Sequence, residues 1–208
     1  MNPKRLAQRP AVLLAAVILG VGLASALLSE PELPGVARDP MPAVDGLTFV
    51  DHRTADAPQE VDLIPDPGEL LFVYFGYLSC PDVCPMTMSD IAQARDAVGP
   101  ALAARTRVAF VTVDPQRDGP DRLRSYLSHF FDDDYHALIP VDEAALAAAA
   151  DRLGVRYEIE AHEPGDERYD VLHSALTYVV DDRGHLVREL PFGATPDDYA
   201  RLIRALLP

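Results

Sequence analysis

Positive charge is scarce in this 208-residue chain: 18 basic residues stand against 33 acidic ones, and the formal net charge is −15. Three of the basic residues, Lys4, Arg5 and Arg9, lie at the amino terminus, so the remainder of the chain is more acidic still. Such a surface argues against binding nucleic acid and against resting on anionic lipid. It serves solubility, and it favours a basic or metal-bearing partner only weakly. Lys4 is the single lysine, which reads as a bias of base composition rather than as chemistry. Cysteine is almost as rare: only Cys80 and Cys84 occur, neither near the amino terminus, which excludes a lipid-modified cysteine as an anchor. No internal repeat is visible, and the length suits one domain of ordinary size with ample residues for a core.

What is present centres on Leu70 to Met88, LLFVYFGYLSCPDVCPMTM. The apolar run Leu70 to Phe75 is short and rich in aromatic and β-branched residues, the pattern of a strand buried on both faces. Gly76 follows, then a loop with both cysteines, each directly before a proline, then a helical pattern. In open α/β sheets, ligands bind outside the carboxyl ends of the strands, where this loop falls. Thiols at i and i+4 of a helix have Cβ atoms about 5–6 Å apart. A disulfide wants about 3.5–4.5 Å, so a regular helix must distort to close one, whereas a soft metal ion spans the gap itself. Two placements are open: a labile disulfide, or half of a metal site. A purely structural staple is the rival, but so short a loop supplies only about 2 kcal/mol, and the position favours function.

The run YFGYLSCPDVCP, Tyr74 to Pro85, closely resembles the signature of the Sco/SenC family, copper chaperones for cytochrome c oxidase with a thioredoxin-like fold. Asp114-Pro115-Gln116-Arg117-Asp118 looks like that family's DPxRD segment. YDVLHSALTY, Tyr169 to Tyr178, looks like the segment carrying its single histidine ligand. The resemblance covers about Leu70 to Pro208.

Read in order, Met1 to Arg9 is basic, and Ala11 to Ser29 is nineteen residues without a charge. That suits a spanning helix or a generous signal core, and the basic flank places the amino terminus in the cytoplasm. Residues 1–29 are thus expected to be a transmembrane anchor or signal segment; Ala24-Ser25-Ala26 is a candidate cleavage site, but the length favours an uncleaved anchor. Residues 30–45, studded with proline, read as a semi-rigid linker, and 46–208 as the thioredoxin-like copper-binding domain. The protein is then expected in the cell membrane, single-pass, with its carboxyl-terminal domain extracytoplasmic. Leu47 to Val50 reads as a short edge strand; the family's hairpin with a glycine-rich entry is not evident there. Helices are expected over Pro85 to Ala104, from Pro120 with Asp118 as its cap, over Glu143 to Leu153 before Gly154, and over Asp197 to Leu207. Met86 and Met88 are assigned to core packing. Strands are expected at Arg107 to Val113, Ala137 to Val141, Val155 to Ile159, Ala175 to Asp181 and His185 to Leu190, the last two a hairpin. This order describes an α/β, thioredoxin-like fold with a mixed central β-sheet flanked by helices. Turn and capping chemistry accounts for Asp114 to Asp118 locally; the resemblance adds an alternative in which Asp114 faces the cysteine loop.

Six histidines compete, and a lone histidine is usually a surface or satisfied core residue. His185 follows a hairpin glycine, His129 lies beside Phe130, and His162, in an acidic loop, is the reserve. The resemblance implies His173 as the third ligand, on a loop able to reach the cysteines. Leu172 stands where the family commonly has an aspartate, for which Asp170 is a candidate replacement, and Leu78-Ser79 replaces a threonine-containing pair. The implied set Cys80, Cys84 and His173 suits copper: soft sulfur favours Cu(I), imidazole accepts either oxidation state, and structural zinc would want a fourth ligand. The implied function is an extracytoplasmic, membrane-tethered metallochaperone that delivers one copper ion to the CuA centre of a cytochrome c oxidase subunit. Other copper chaperones or thiol reductants are further expected partners. The alternatives are a thiol–disulfide oxidoreductase acting through Cys80 and Cys84 on the CuA-site cysteines, or a redox sensor. The C-x-x-x-C spacing and the lack of a proline beside His173 argue against the oxidoreductase; the lack of a threonine before Cys80 argues against a peroxiredoxin.

Overall fold

The computed structural model describes residues 32–163, 165, 166 and 168–207. The expected membrane segment, residues 1–29, lies outside them; among the described residues no helix is long and apolar enough to cross a membrane. In chain order the elements are β1 (Thr48–Asp51), β2 (Gln59–Asp62), β3 (Leu70–Gly76), α1 (Val83–Val98), α2 (Pro100–Ala103), β4 (Thr106–Thr112), α3 (Pro120–Phe131), β5 (His136–Pro140), α4 (Glu143–Leu153), β6 (Tyr157–Ile159), β7 (Val171–His173), β8 (Leu176–Val180), β9 (Leu186–Pro191) and α5 (Pro196–Leu206). Seven strands form one sheet in the order β2-β1-β5-β4-β3-β8-β9. The inner pairs β3/β4 and β4/β5 are parallel, and β3/β8, β8/β9, β1/β5 and β1/β2 are antiparallel, so the central sheet is mixed.

Every residue of β3 is buried. Its pleat sends Leu71, Val73 and Phe75 into a core closed by Leu146, Ala149 and Leu153 of α4. Leu70, Phe72 and Tyr74 enter the opposite core, against α1, α3 and α5. Period-2 alternation with two covered faces requires an apolar residue at every position, which is what LLFVYF supplies. Helical spacing does the same for α3, whose Leu123, Leu127 and Phe131 are buried on one stripe. Asp142 caps α4 by accepting from the Ala145 amide, and Thr195 with Asp198 forms a capping box on α5.

Several expectations are corrected. The helix after the cysteines stops at Val98, because Gly99 (φ 84°) and Pro100 cannot continue it, and a separate short turn of helix follows. Thr48–Asp51 is not an edge strand: it lies between β2 and β5, and the hairpin not evident in the sequence is β1/β2. Much of the expected linker is tied down. Val36 exchanges backbone hydrogen bonds with Glu189, the Leu186 amide donates to the Pro42 carbonyl, and Arg38 pairs with Glu189 at 2.7 Å. Gly35 permits this approach, since a Cβ there would stand 2.5 Å from the Glu189 carbonyl oxygen. Tyr157–Ile159 pairs with Val171–His173 in a two-stranded ribbon separate from the main sheet, so His173 ends a strand rather than sitting on a loop. Met88 is buried as expected, whereas Met86 is half exposed.

Candidate metal centre

Gly76 ends β3 where the chain must pass a crowded spot. A Cβ there would meet the Phe110 and Tyr74 rings at 2.9 Å and the Cys84 sulfur at 3.1 Å, so the absent side chain makes room for the thiol. The loop then turns, its Cys80 amide donating to the Tyr77 carbonyl at 3.3 Å. The side chain of Asp82, at the N-cap position of α1, makes no capping hydrogen bond. The Cys84 amide instead donates to the Cys80 sulfur at 3.4 Å, so one thiol occupies a capping place for the helix that carries the other. Cys80 is half-buried and Cys84 fully buried, and both are free thiols. Burial pushes the Cys84 thiol well above its ordinary range.

His173 arrives from the ribbon, 89 residues along the chain from Cys84, and its Nε2 lies 3.5 Å from the Cys84 sulfur. Its Nδ1 faces the Ser174 carbonyl oxygen at 3.2 Å. A carbonyl can only accept, so Nδ1 carries the hydrogen and Nε2 presents its lone pair toward the thiols. Burial lowers the pKa of the ring, against the Ser174 and Phe75 backbone groups, which favours the neutral, ligating form. Tyr74 and Tyr77 meet the imidazole edge-on, with centroids 5.9 and 5.7 Å away. The donor atoms of Cys80, Cys84 and His173 all lie within 4.8 Å of one another. A triangle that size has a centre about 2.8 Å or less from each corner, a few tenths of an ångström beyond the about 2.3 Å of a metal–thiolate bond.

The neighbouring residues are arranged differently from the sequence expectations. Leu172 is exposed and alternates with His173 along β7, so it points away from the thiols, and Asp170 is exposed with its amide donating to Glu160. His162 is not part of the convergent group: it stacks on Tyr169 with centroids 3.7 Å apart. Asp114 is engaged by the arm that carries His173: it accepts from the Tyr169 hydroxyl at 2.7 Å and pairs with Arg117 at 2.8 Å. Asp118 does not cap α3. It is fully buried, and its Oδ2 accepts from the Leu78 amide and the Thr112 hydroxyl, both at 2.9 Å. Desolvation raises its carboxyl to about 6. Sequence reasoning missed the roles of Arg117, Asp118 and Tyr169, although each falls in a motif that resembles the family's.

A mixed sheet presenting two thiols at the end of a central strand, with an imidazole brought across from a neighbouring ribbon, defines a thioredoxin-like protein with a three-donor soft-metal site. The family model SCO1/SenC matches residues 51–208, and the chain belongs to that family. It is 28% identical over 139 residues to a SCO2-like protein of Rickettsia conorii, covering 66% of this chain and 65% of the relative. A SCO2-like protein of Rickettsia prowazekii is 30% identical with the same coverage. The matches therefore span just under two thirds of those relatives. Among solved structures, Bradyrhizobium japonicum ScoI with copper bound is 28% identical at a TM-score of 0.64, covering 84% of this chain and 99% of the other. BsSco, described as a member of the Sco family of cytochrome c oxidase assembly proteins, shares the fold at 19% identity and a TM-score of 0.60, covering 84% and 98%.

Proposed function

We propose that this chain is a copper metallochaperone: Cys80, Cys84 and His173 hold one copper ion as cargo and pass it to the CuA centre of a cytochrome c oxidase subunit. The convergence of two thiols and one imidazole nitrogen within 4.8 Å carries this reading. Sulfur favours Cu(I) and imidazole accepts either oxidation state, while two thiolates leave the site about −1 with Cu(I) and neutral with Cu(II). No fourth donor from a histidine, cysteine or carboxylate joins the group among the described residues, which suits a low-coordinate cuprous ion better than structural zinc. Transfer needs an approach open to an incoming thiolate. The Cys80 side offers one by its partial exposure, with Cys84 as the innermost donor. The copper-bound Bradyrhizobium relative supports the choice of metal. Residues 1–29 would tether the domain to the extracytoplasmic face of the membrane.

A second reading, thiol–disulfide exchange on the acceptor's cysteines, is favoured by the partly buried Cys80, a free thiol beside a second one. One comparison decides between them. Reduced protein is titrated with Cu(I), and turnover of a model disulfide is measured, for the parent, Cys80→Ser and His173→Ala. The chaperone reading expects one copper per chain, lost in Cys80→Ser and weakened in His173→Ala. Undiminished copper affinity in both variants, with disulfide turnover that survives His173→Ala, would replace it with the second reading.

A further inference from the structure

The thiols and the imidazole belong to segments far apart in sequence, and one short turn touches both. That turn, Asp114 to Asp118, follows β4. At its far end, the buried Asp118 holds the cysteine loop through the Leu78 amide. At its near end, Asp114 and Arg117 form an ion pair in which both side chains are almost wholly buried, 1% and 5% exposed. That pair grips Tyr169, two residues before β7. The Tyr169 hydroxyl donates to Asp114, the Arg117 guanidinium donates to the Tyr169 carbonyl at 3.0 Å, and its carbon lies 4.0 Å from the Tyr169 ring centre. The same guanidinium carbon lies 5.6 Å from the centre of the Tyr77 ring, which meets the His173 ring edge-on. Arg117 thus touches the aromatic neighbours of both ligand-bearing arms.

Resting on the copper reading, we propose that Arg117 is a positioning residue: clamped by Asp114, it seats Tyr169 and thereby fixes His173 against thiols that Asp118 holds from the other side. A buried guanidinium suits this task because its planar fork grips a carboxylate and a carbonyl while its faces stack on rings. The ribbon packs Tyr157, Ile159 and Val171 on the core but pairs with no strand of the main sheet, so this grip adds the polar anchor that strand pairing does not supply.

The test crosses Arg117→Met with His173→Ala, and reads Cu(I) affinity by competition together with amide hydrogen exchange of the copper-free, reduced protein. Removing outer groups that orient a metal ligand typically costs 10–100-fold in affinity, so a loss of about tenfold or more is expected from Arg117→Met in the parent. In the His173→Ala background the same change should cost no more than about twofold, the scatter of independent sites. Exchange should quicken at β6 and β7 and stay unchanged in α1. Tyr169→Phe, which leaves the ion pair whole, should give the same pattern with smaller amplitude. Equal losses in both backgrounds, or quickened exchange throughout α1 and β3, would mean general destabilisation and overturn the proposal, as would affinity unchanged in both variants. A parent that binds no copper sinks the copper reading alone, because the exchange comparison still decides whether Arg117 seats the ribbon.

Discussion

Replacing Asp118 with asparagine should change how stability depends on pH, in a direction and by an amount set by its surroundings. The carboxylate is fully buried; one oxygen takes hydrogen bonds from Leu78 and Thr112, and the other has no hydrogen-bond partner among the described residues. Desolvation, helped by the nearby charge of Asp114, raises its pKa from 3.8 to about 6 despite those two hydrogen bonds. A raised carboxyl pKa means that the folded chain holds the proton more tightly than the unfolded one. This residue's contribution to stability therefore grows as the pH falls through about 6 and levels off below 3.8. At about 1.4 kcal/mol per pH unit the full span is roughly 3 kcal/mol, of which about 2 kcal/mol falls between pH 4.5 and 7.5. Asp118→Asn keeps an acceptor for Leu78 and Thr112 and removes the charge. It also buries an amide N–H group without an acceptor, at about 1–3 kcal/mol. The variant should accordingly be up to about 2 kcal/mol less stable than the parent at pH 4.5 and up to about 2 kcal/mol more stable at pH 7.5, the difference moving by about 2 kcal/mol across that range. Urea unfolding of reduced, copper-free protein across that range, compared as variant minus parent, cancels the other titrating groups. A difference that stays flat with pH would refute the buried-charge account.

The packing around the thiols sets two further outcomes. Gly76→Ala would drive a methyl group into the Phe110 and Tyr74 rings and the Cys84 sulfur, so it should cost about 1–3 kcal/mol in chemical unfolding and weaken Cu(I) binding through displacement of Cys84. Leu172→Asp restores the family's usual residue at a position facing away from His173, so Cu(I) affinity measured by competition should shift by no more than about twofold; a tenfold gain would show that the side chain reaches the site after all.

The parts of the fold that were legible in the sequence are those governed by local pattern. Leu70 to Phe75 announces a doubly covered strand because all its neighbours are apolar, and Glu143 to Leu153 carries its own stop signal in Gly154. The hairpin Thr48–Asp62 escaped because Gln59–Asp62 is an exposed edge strand with two acids, whose pairing partner, not its composition, makes it a strand. Asp118 was misread for a related reason. An aspartate before Gly-Pro fits a helix cap, and only the tertiary approach of Leu78 shows that its carboxylate is committed elsewhere.

The same division runs through the site. Four residues of chain and the start of α1 bring the thiols together, so their pairing is a local property that a motif can encode. The imidazole is placed by tertiary structure alone: a ribbon that pairs only with itself, pinned through Tyr169 to a buried ion pair. On the copper-transfer reading, a chain that set both halves rigidly would bind copper well and release it slowly, since each incoming thiolate must be matched by a resident donor that can yield its place. Here the thiol half is built into a helix start and a buried strand end, while the histidine half rests on a ribbon outside the main sheet, held by Val171 in the core and by the grip on Tyr169. Displacement should therefore begin at His173 and end at Cys84, and the residues that hold the ribbon, rather than the ligands themselves, are where the rate of release can be adjusted without loss of the site.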